Sequence, residues 1–200
     1  MSDPVARTRE TYDVIAPEYA ARTNAPGAKL TELMAAFTER LPRAAMVLDA
    51  GCGPGRDTRL LRAGGLRAVG VDLALGMLRM AGPAPVAVGD MRRLPIRDLA
   101  VDGVWCQAAL LHVPRADVPA VLAEFARVTC PGGVLHLGVS EGDGEGWEGD
   151  AYGSDRSRWY VHHRSEPLSD HLEAAGWRVC ARSRAVTKRR WLYLLATRTS

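Results

Sequence analysis

Residues 47–57 read Val47-Leu48-Asp49-Ala50-Gly51-Cys52-Gly53-Pro54-Gly55-Arg56-Asp57, and Thr58-Arg59-Leu60-Leu61 follows. An apolar run ends in an acid, a glycine-rich turn comes next, and a helix-like pattern opens. This strand, turn and helix start is where an open α/β sheet binds a nucleotide-like ligand. The glycines let the backbone approach that ligand where a Cβ would clash. Asp49 narrows the choice, because a carboxylate beside the glycines repels a pyrophosphate and pairs with an ammonium group. The spacing narrows it again: a G-x-G-x-x-G fingerprint needs glycine at position 56, and the chain has Arg56. The loop therefore suits an adenosine ligand with a cationic head better than a nicotinamide dinucleotide.

Outward from the loop, short apolar stretches alternate with helix-like ones. Strands are expected near 45–50, 67–72, 84–89, 101–107 and 132–139, which implies βαβ units and a parallel sheet. Upstream, residues 4–22 and 28–42 carry helical patterns broken by Asn24-Ala25-Pro26-Gly27. Downstream, Arg178 to Arg184 and Arg190 to Thr197 read as two strands joined by a short basic turn. The stretch 141–150 alternates glycine with acids and Trp147 and reads as unable to hold a regular element. It follows the fifth strand, so it belongs at the carboxyl edge of the sheet, either as a mobile flap over a substrate or as a plain surface loop.

Two hundred residues make one domain with a real core. An apolar fraction of 47% with 24% charged residues is that of a soluble globular protein. No apolar run reaches the ~18 residues of a membrane span, and Met1–Val5 lacks the apolar core of a signal peptide. The expectation is a cytoplasmic protein with no membrane partner. A net charge of +3 is mild, so no nucleic-acid partner is expected, and Lys188-Arg189-Arg190 reads as a solvated turn. Cys52, Cys106, Cys130 and Cys180 are scattered, with no C-x-x-C pair and no clustered histidines. That argues against zinc and against a disulfide framework. The cysteines read as reduced, small apolar fillers, and no metal is expected.

Further motifs follow the loop in order: Val69-Gly70-Val71-Asp72, Gly89-Asp90-Met91, Asp102 through His112, Arg127 through Leu135, and Leu172-Glu173-Ala174-Ala175-Gly176-Trp177. With this ordered set, over residues 10–198, the chain resembles the class I S-adenosylmethionine (SAM)-dependent methyltransferases of the small-molecule type. The resemblance implies an α/β, Rossmann-like, doubly wound sheet of seven strands, mostly parallel, with one antiparallel strand in a C-terminal hairpin. It implies a single domain, with residues 1–42 as an N-terminal helical lid and 43–200 as the Rossmann-like core. It further implies SAM as cofactor and S-adenosylhomocysteine as product. The reaction is methyl transfer to an O, N or C nucleophile of a small-molecule acceptor by in-line displacement, in a monomer or homodimer.

Asp49, with the backbone of Gly51, Cys52 and Gly53, suits the methionine end of such a cofactor, and the following helix N-terminus adds partial positive charge for its carboxylate. Asp72 ends the second strand, where an acid takes ribose hydroxyls or else caps a helix. Asp90, by the family motif, suits the adenine amino group with Met91 on the ring, and a helix cap is its alternative. Leu73 and Met77 read as apolar walls or as ordinary core. Tyr12 and Tyr19 lie seven apart on one helical face. The Tyr12–Tyr19 segment looks like one that many small-molecule members fold over the cofactor, although core packing gives the same spacing.

Gln107 opens the stretch to His112 that in the family lies beside the reacting methyl group. His112 is a candidate general base, since an unperturbed histidine titrates near physiological pH; a structural role is the alternative. His162 and His163 are neighbours in an extended segment, so only one faces a pocket, and His163 is the second catalytic candidate. The chain lacks the Asn/Asp-Pro-Pro-aromatic run of base-modifying relatives, which argues against DNA. Two alternatives keep the fold: a SAM-binding protein that catalyses a non-methylating reaction or only binds, and an RNA or protein methyltransferase. The modest charge and the lack of a basic-aromatic array count against the latter.

Overall fold

The computed structural model describes residues 3–199. Nine strands form: β1 (Met46–Ala50), β2 (Arg67–Asp72), β3 (Val86–Val88), β4 (Val101–Gln107), β5 (Thr129–Ser140), β6 (Glu145–Glu148), β7 (Arg158–Val161), β8 (Trp177–Val186) and β9 (Arg190–Arg198). Six helices connect or precede them: α1 (Pro4–Thr23), α2 (Ala28–Thr38), α3 (Arg56–Ala63), α4 (Leu75–Arg79), α5 (Val118–Val128) and α6 (Ser165–Ala174). Seven strands make one sheet in the order β3-β2-β1-β4-β5-β9-β8. β1 pairs in parallel with β2 and with β4, and β4 in parallel with β5. β9 runs antiparallel to both its neighbours, β5 and β8. This is the doubly wound, mostly parallel sheet with one antiparallel strand in the C-terminal hairpin.

Both faces of the sheet are covered because its central strands are apolar on both sides. Leu48, Val104 and Leu135 pack on one face with Leu122 and Phe125 of α5 and Leu168 and Leu172 of α6. Their neighbours Val47, Trp105 and Val134 pack on the other with Phe37 of α2 and Leu61 of α3. Burying side chains of this size contributes about 1.5–3 kcal/mol each relative to exposure. Among the described residues no helix is long and apolar enough to cross a membrane.

Three expectations change. The stretch 141–150 is not irregular throughout: Glu145–Glu148 is β6, antiparallel to β7 with Trp147 opposite Trp159. Alternating glycine with acids and tryptophan is itself a period of two, and a partner strand supplies the hydrogen bonds that composition alone does not reveal. The second helix stops at Thr38 rather than 42. Cys52 and Cys106 are buried fillers, but Cys130 is half-buried and Cys180 exposed. β8 is an edge strand whose alternate residues face solvent, and that is where Cys180 lies.

Candidate active site

The strand order reverses between β1 and β4, so their carboxyl ends part and leave a crevice there. The glycine loop enters it directly. Gly51 N and Cys52 N both donate to Val71 O, at 2.8 and 3.1 Å, which ties the loop to β2. Gly51 has φ +73°, and a Cβ on it would lie 2.2 Å from Ala109 Cβ. Glycine is therefore required there by backbone and by neighbour alike. Across the crevice Ala108 sits at φ 55°, a left-handed conformation uncommon for a residue with a Cβ. Strain of this kind gathers at functional sites.

The cavity is walled by Tyr12, Tyr19, Gly51, Gly53, Asp72, Leu73, Met77, Asp90, Met91, Gln107 and His112, together with Val5, Thr8 and Arg9 of α1. The spacing 5, 8, 9, 12 and 19 puts one face of α1 over the loop. Tyr19 comes within 3.8 Å of where a Gly53 Cβ would stand. α1 is pinned there by Asp13, whose carboxylate accepts from Gly76 N of α4 at 2.6 Å. A side chain at Gly76 would run into the Asp13 backbone at 2.5 Å.

The acids divide into distinct environments. Asp72 accepts from Gly53 N through Oδ2 and from Ala74 N through Oδ1, each at 2.8 Å. It is thus a turn cap and a clamp on the loop at once. Each oxygen keeps lone-pair capacity, and the residue still lines the cavity. Burial raises its pKa, and the backbone N–H groups of Ala74, Gly53 and Leu73 hold it back. Asp90 also lines the cavity, but Arg92 grips its carboxylate through Nε and Nη2, and Arg92 N donates as well.

Asp49 is not on the wall. It lies beneath the loop at 2% exposure, with Oδ2 accepting from Thr58 Oγ1 at 2.6 Å. Burial, and then the neighbouring carboxylate of Asp57, push it up to about 8. Asp57 is itself buried, held by Arg56 Nε and by the Trp105 indole N–H. A carboxylate so placed is costly as an anion until a cation arrives.

Two candidates face elsewhere. The Cys52 side chain turns away from the cavity to pack on Gly70, where a Cβ would meet its Sγ at 2.6 Å. His163, 3% exposed, hydrogen-bonds by its backbone to Ser140 O, and its Nε2 is buried without a partner. Burial lowers its pKa to about 4. Its neighbour His162 lies between Ser140 Oγ at 2.8 Å and Glu148 Oε1 at 3.0 Å. Among the described residues, neither histidine is on the cavity wall.

His112 is on the wall and fully engaged. Its Nδ1–H donates to Trp159 O at 2.6 Å, and its Nε2 accepts from the Tyr12 hydroxyl at 2.7 Å. Desolvation lowers its pKa to about 3. The ring is neutral at physiological pH with no free nitrogen, which suits a fixed wall better than a base. Behind Tyr12 stands Arg158 of β7, which donates from Nη1 to the same hydroxyl at 3.1 Å. The sequence offered no signal for Arg158, because one arginine among several on the chain is marked only by what folds around it. Gln107 accepts from His136 at 2.9 Å, and His136 stacks on Trp105 deep in the sheet. No three His, Cys, Asp or Glu side chains gather as a metal site among the described residues.

A family model described as a methyltransferase domain matches residues 48–137. A malonyl-acyl-carrier-protein O-methyltransferase of Serratia marcescens is 43% identical over 93 residues, covering 44% of this chain and 36% of that protein. The chain thus spans well under half the length of this curated relative. A Burkholderia thailandensis 1,6-didemethyltoxoflavin-N1-methyltransferase, solved with 1,6-didemethyltoxoflavin and S-adenosylhomocysteine, superposes with TM-score 0.76 at 24% identity. That match covers 100% of this chain and 92% of that one. A cyclase superposes equally well, with TM-score 0.76 at 18% identity over 98% of this chain and 97% of that one. Likeness at these identities shows the fold alone.

Proposed function

We propose that this chain is a class I SAM-dependent methyltransferase and that it transfers a methyl group from SAM to a small-molecule acceptor held between α1 and the end of β4. The observation that carries the reading is the pair of acids flanking the glycine loop at the ends of adjacent parallel strands. Asp49 lies beneath the loop, and Asp72 grips Gly53 N while still lining the cavity. That donor set fits the group. Asp72 suits ribose hydroxyls, the raised Asp49 suits a cationic head nearby, and Leu73, Met77 and Met91 give apolar walls for a flat base. Asp90 contributes its position more than a free acceptor, since Arg92 already engages it.

When bound, SAM supplies a methyl group on a sulfonium, an electrophile already activated. The chain's task is alignment and exclusion of water, which together supply several kcal/mol of a barrier. Residues 1–42 act as the lid: Tyr12 and Tyr19 cover the loop, and the Asp13–Gly76 contact fixes the angle of α1. The β6–β7 pair packs behind the lid, with Arg7 of α1 4.4 Å over the Trp147 ring. His112 orients Tyr12 rather than removing a proton. We place the protein in the cytoplasm, working on a free small molecule or one carried on a thioester, without nucleic acid.

Calorimetry tests the cofactor: SAM and S-adenosylhomocysteine bind, and NAD does not. Tight NAD binding with none for SAM sinks the reading. The equal likeness to a cyclase keeps one second reading, a SAM-binding protein that transfers no methyl. Product mass decides between them, since transfer adds one methyl group and the rival adds none.

A further inference from the structure

Arg9 is the one cationic side chain among the described residues that line the cavity, since His112 is held neutral. The residue is half-buried, and its Nε is buried with no hydrogen-bond partner. The carboxylates near it engage it weakly. Glu10 Oε1 lies 3.5 Å from Nη2, but Glu10 is exposed, and adjacent helix positions do not face each other. Asp13 Oδ2 lies 4.0 Å from Nε, while Asp13 Oδ1 already accepts from Gly76 N. Ion pairs as loose as these contribute little. A buried N–H left without an acceptor is costly, and this one belongs to a residue that borders the cavity where a ligand would bring acceptor atoms.

Two anchors fix which part of the cavity Arg9 faces. At the start of α1, Asp3 pairs with Arg92, which grips Asp90 beside Met91. Farther along, Asp13 holds Gly76 N, next to Met77. Arg9 lies between these anchors, facing the part walled by Leu73, Met77 and Met91, the walls suited to a flat base. Tyr19, which approaches the glycine loop, is ten positions on, about 15 Å along the helix axis. The acid at the base end, Asp90, is already occupied by Arg92. We propose that Arg9 reads the base of the cofactor, with its Nε–H donating to a ring nitrogen of the purine. The proposal deepens the SAM-binding reading and rests on it. A purine ring nitrogen offers a lone pair in the plane of the ring, which matches an N–H donor and which a sulfonium or ammonium group does not offer. In arginine the Nε–H direction is fixed by the planar guanidinium, whereas a lysine ammonium rotates freely. Because Arg9 stands on α1, the same bond ties that helix to the ligand.

NMR of the arginine Nε–H groups tests this, with the Arg9 signal assigned by its loss in Arg9→Met. Adenosine, its 1-deaza, 3-deaza and 7-deaza analogues and L-homocysteine are the probes, each titrated until the signals stop changing. Adenosine shifts the Arg9 Nε–H downfield and slows its exchange with water, and homocysteine changes neither. One deaza analogue, the one lacking the accepting nitrogen, fails to produce the shift. Affinity for S-adenosylhomocysteine falls about tenfold in Arg9→Met and in Arg9→Lys alike, because lysine keeps the charge without the Nε–H donor. The melting temperatures of both free variants stay at the wild-type value, since the pairs with Glu10 and Asp13 are weak. A shift with homocysteine and none with adenosine overturns the proposal by moving Arg9 to the methionine end. A shift that survives all three ring substitutions overturns it by taking the donor off the base. Full rescue by lysine overturns it by reducing Arg9 to a diffuse charge. Wild-type affinity in Arg9→Met defeats the proposal alone, whereas a wild-type protein that binds neither adenosine nor S-adenosylhomocysteine defeats the cofactor reading itself.

Discussion

The two halves of the cavity carry opposite charge problems. On the β1–β2 side the groups are acids: Asp49 buried beneath the glycine loop, Asp57 buried behind it and Asp72 half-buried beside it. On the α1–β7 side the buried group is a cation, Arg158, ringed by tyrosines and next to a histidine that cannot be charged. The contrast teaches that the anionic charge facing the cavity lies on its acidic side, while Tyr12 and His112 on the α1 side present neutral groups hydrogen-bonded to one another, with Arg158 behind them.

The contrast breaks most visibly at the loop that carries the acidic half. Gly51→Val forces a branched side chain into the space of Ala109 Cβ on a left-handed backbone. Overpacking and backbone strain together cost about 2–4 kcal/mol. Urea unfolding should report that loss, and calorimetry should find no S-adenosylhomocysteine binding; wild-type affinity would mean the loop does not approach the ligand.

Next in size is Asp72→Ala. It removes an acceptor facing the cavity and frees Gly53 N and Ala74 N. Hydrogen bonds to charged groups are worth about 1.5–3 kcal/mol each, so cofactor affinity should fall about tenfold or more. An unchanged dissociation constant removes Asp72 from the ribose.

The pH response should have opposite signs in the two halves. Asp49 is raised to about 8 against about 3.9 in an unfolded chain. The folded state therefore binds the extra proton, and this group's contribution is lost as pH rises from about 4 to 8. His112 is lowered to about 3 against about 6.5 unfolded. The unfolded state binds the extra proton there, so stability is lost as pH falls from about 6.5 toward 3. Urea midpoints across pH should show Asp49→Asn flattening the alkaline side and His112→Gln the acidic side. The same raised acid predicts that S-adenosylhomocysteine binding near pH 7 releases a proton, seen as a buffer-dependent heat that Asp49→Asn removes.

The smallest effect is expected from Tyr12→Phe. It deletes one hydroxyl shared by His112 and Arg158, worth about 0.5–1.5 kcal/mol. Thermal melting should drop by a few degrees, with cofactor affinity nearly intact. A large loss of affinity would move Tyr12 from the acceptor half to the cofactor half.

Much of the acidic half was legible before any coordinates, because its chemistry is local. Asp49, Gly51 and Gly53 sit within one strand-turn-helix, and Asp72 ends the next strand, so chain order alone brings them near one another. The structure adds that the turn sends the Cys52 side chain back against Gly70 rather than into the cavity. The placement of Asp49 below the loop and the grip of Arg92 on Asp90 were not readable, since both depend on what packs against them.

In the other half the sequence determined the ingredients and little else. It marked Tyr12, Tyr19 and His112, but the partners that define them come from far along the chain: Arg158 lies 146 residues from Tyr12, and Trp159 lies 47 residues from His112. Periodicity and motif spacing report contacts within a turn of helix or a pair of strands, so the sequence by itself determined the succession of strands and helices, the glycine loop and the acidic carriers. Only the tertiary structure decided that β6 pairs with β7, that this pair packs on α1, and that the packing buries a lone guanidinium among tyrosines. Burial without a counter-charge is a property of surroundings, and surroundings exist only once distant segments have met.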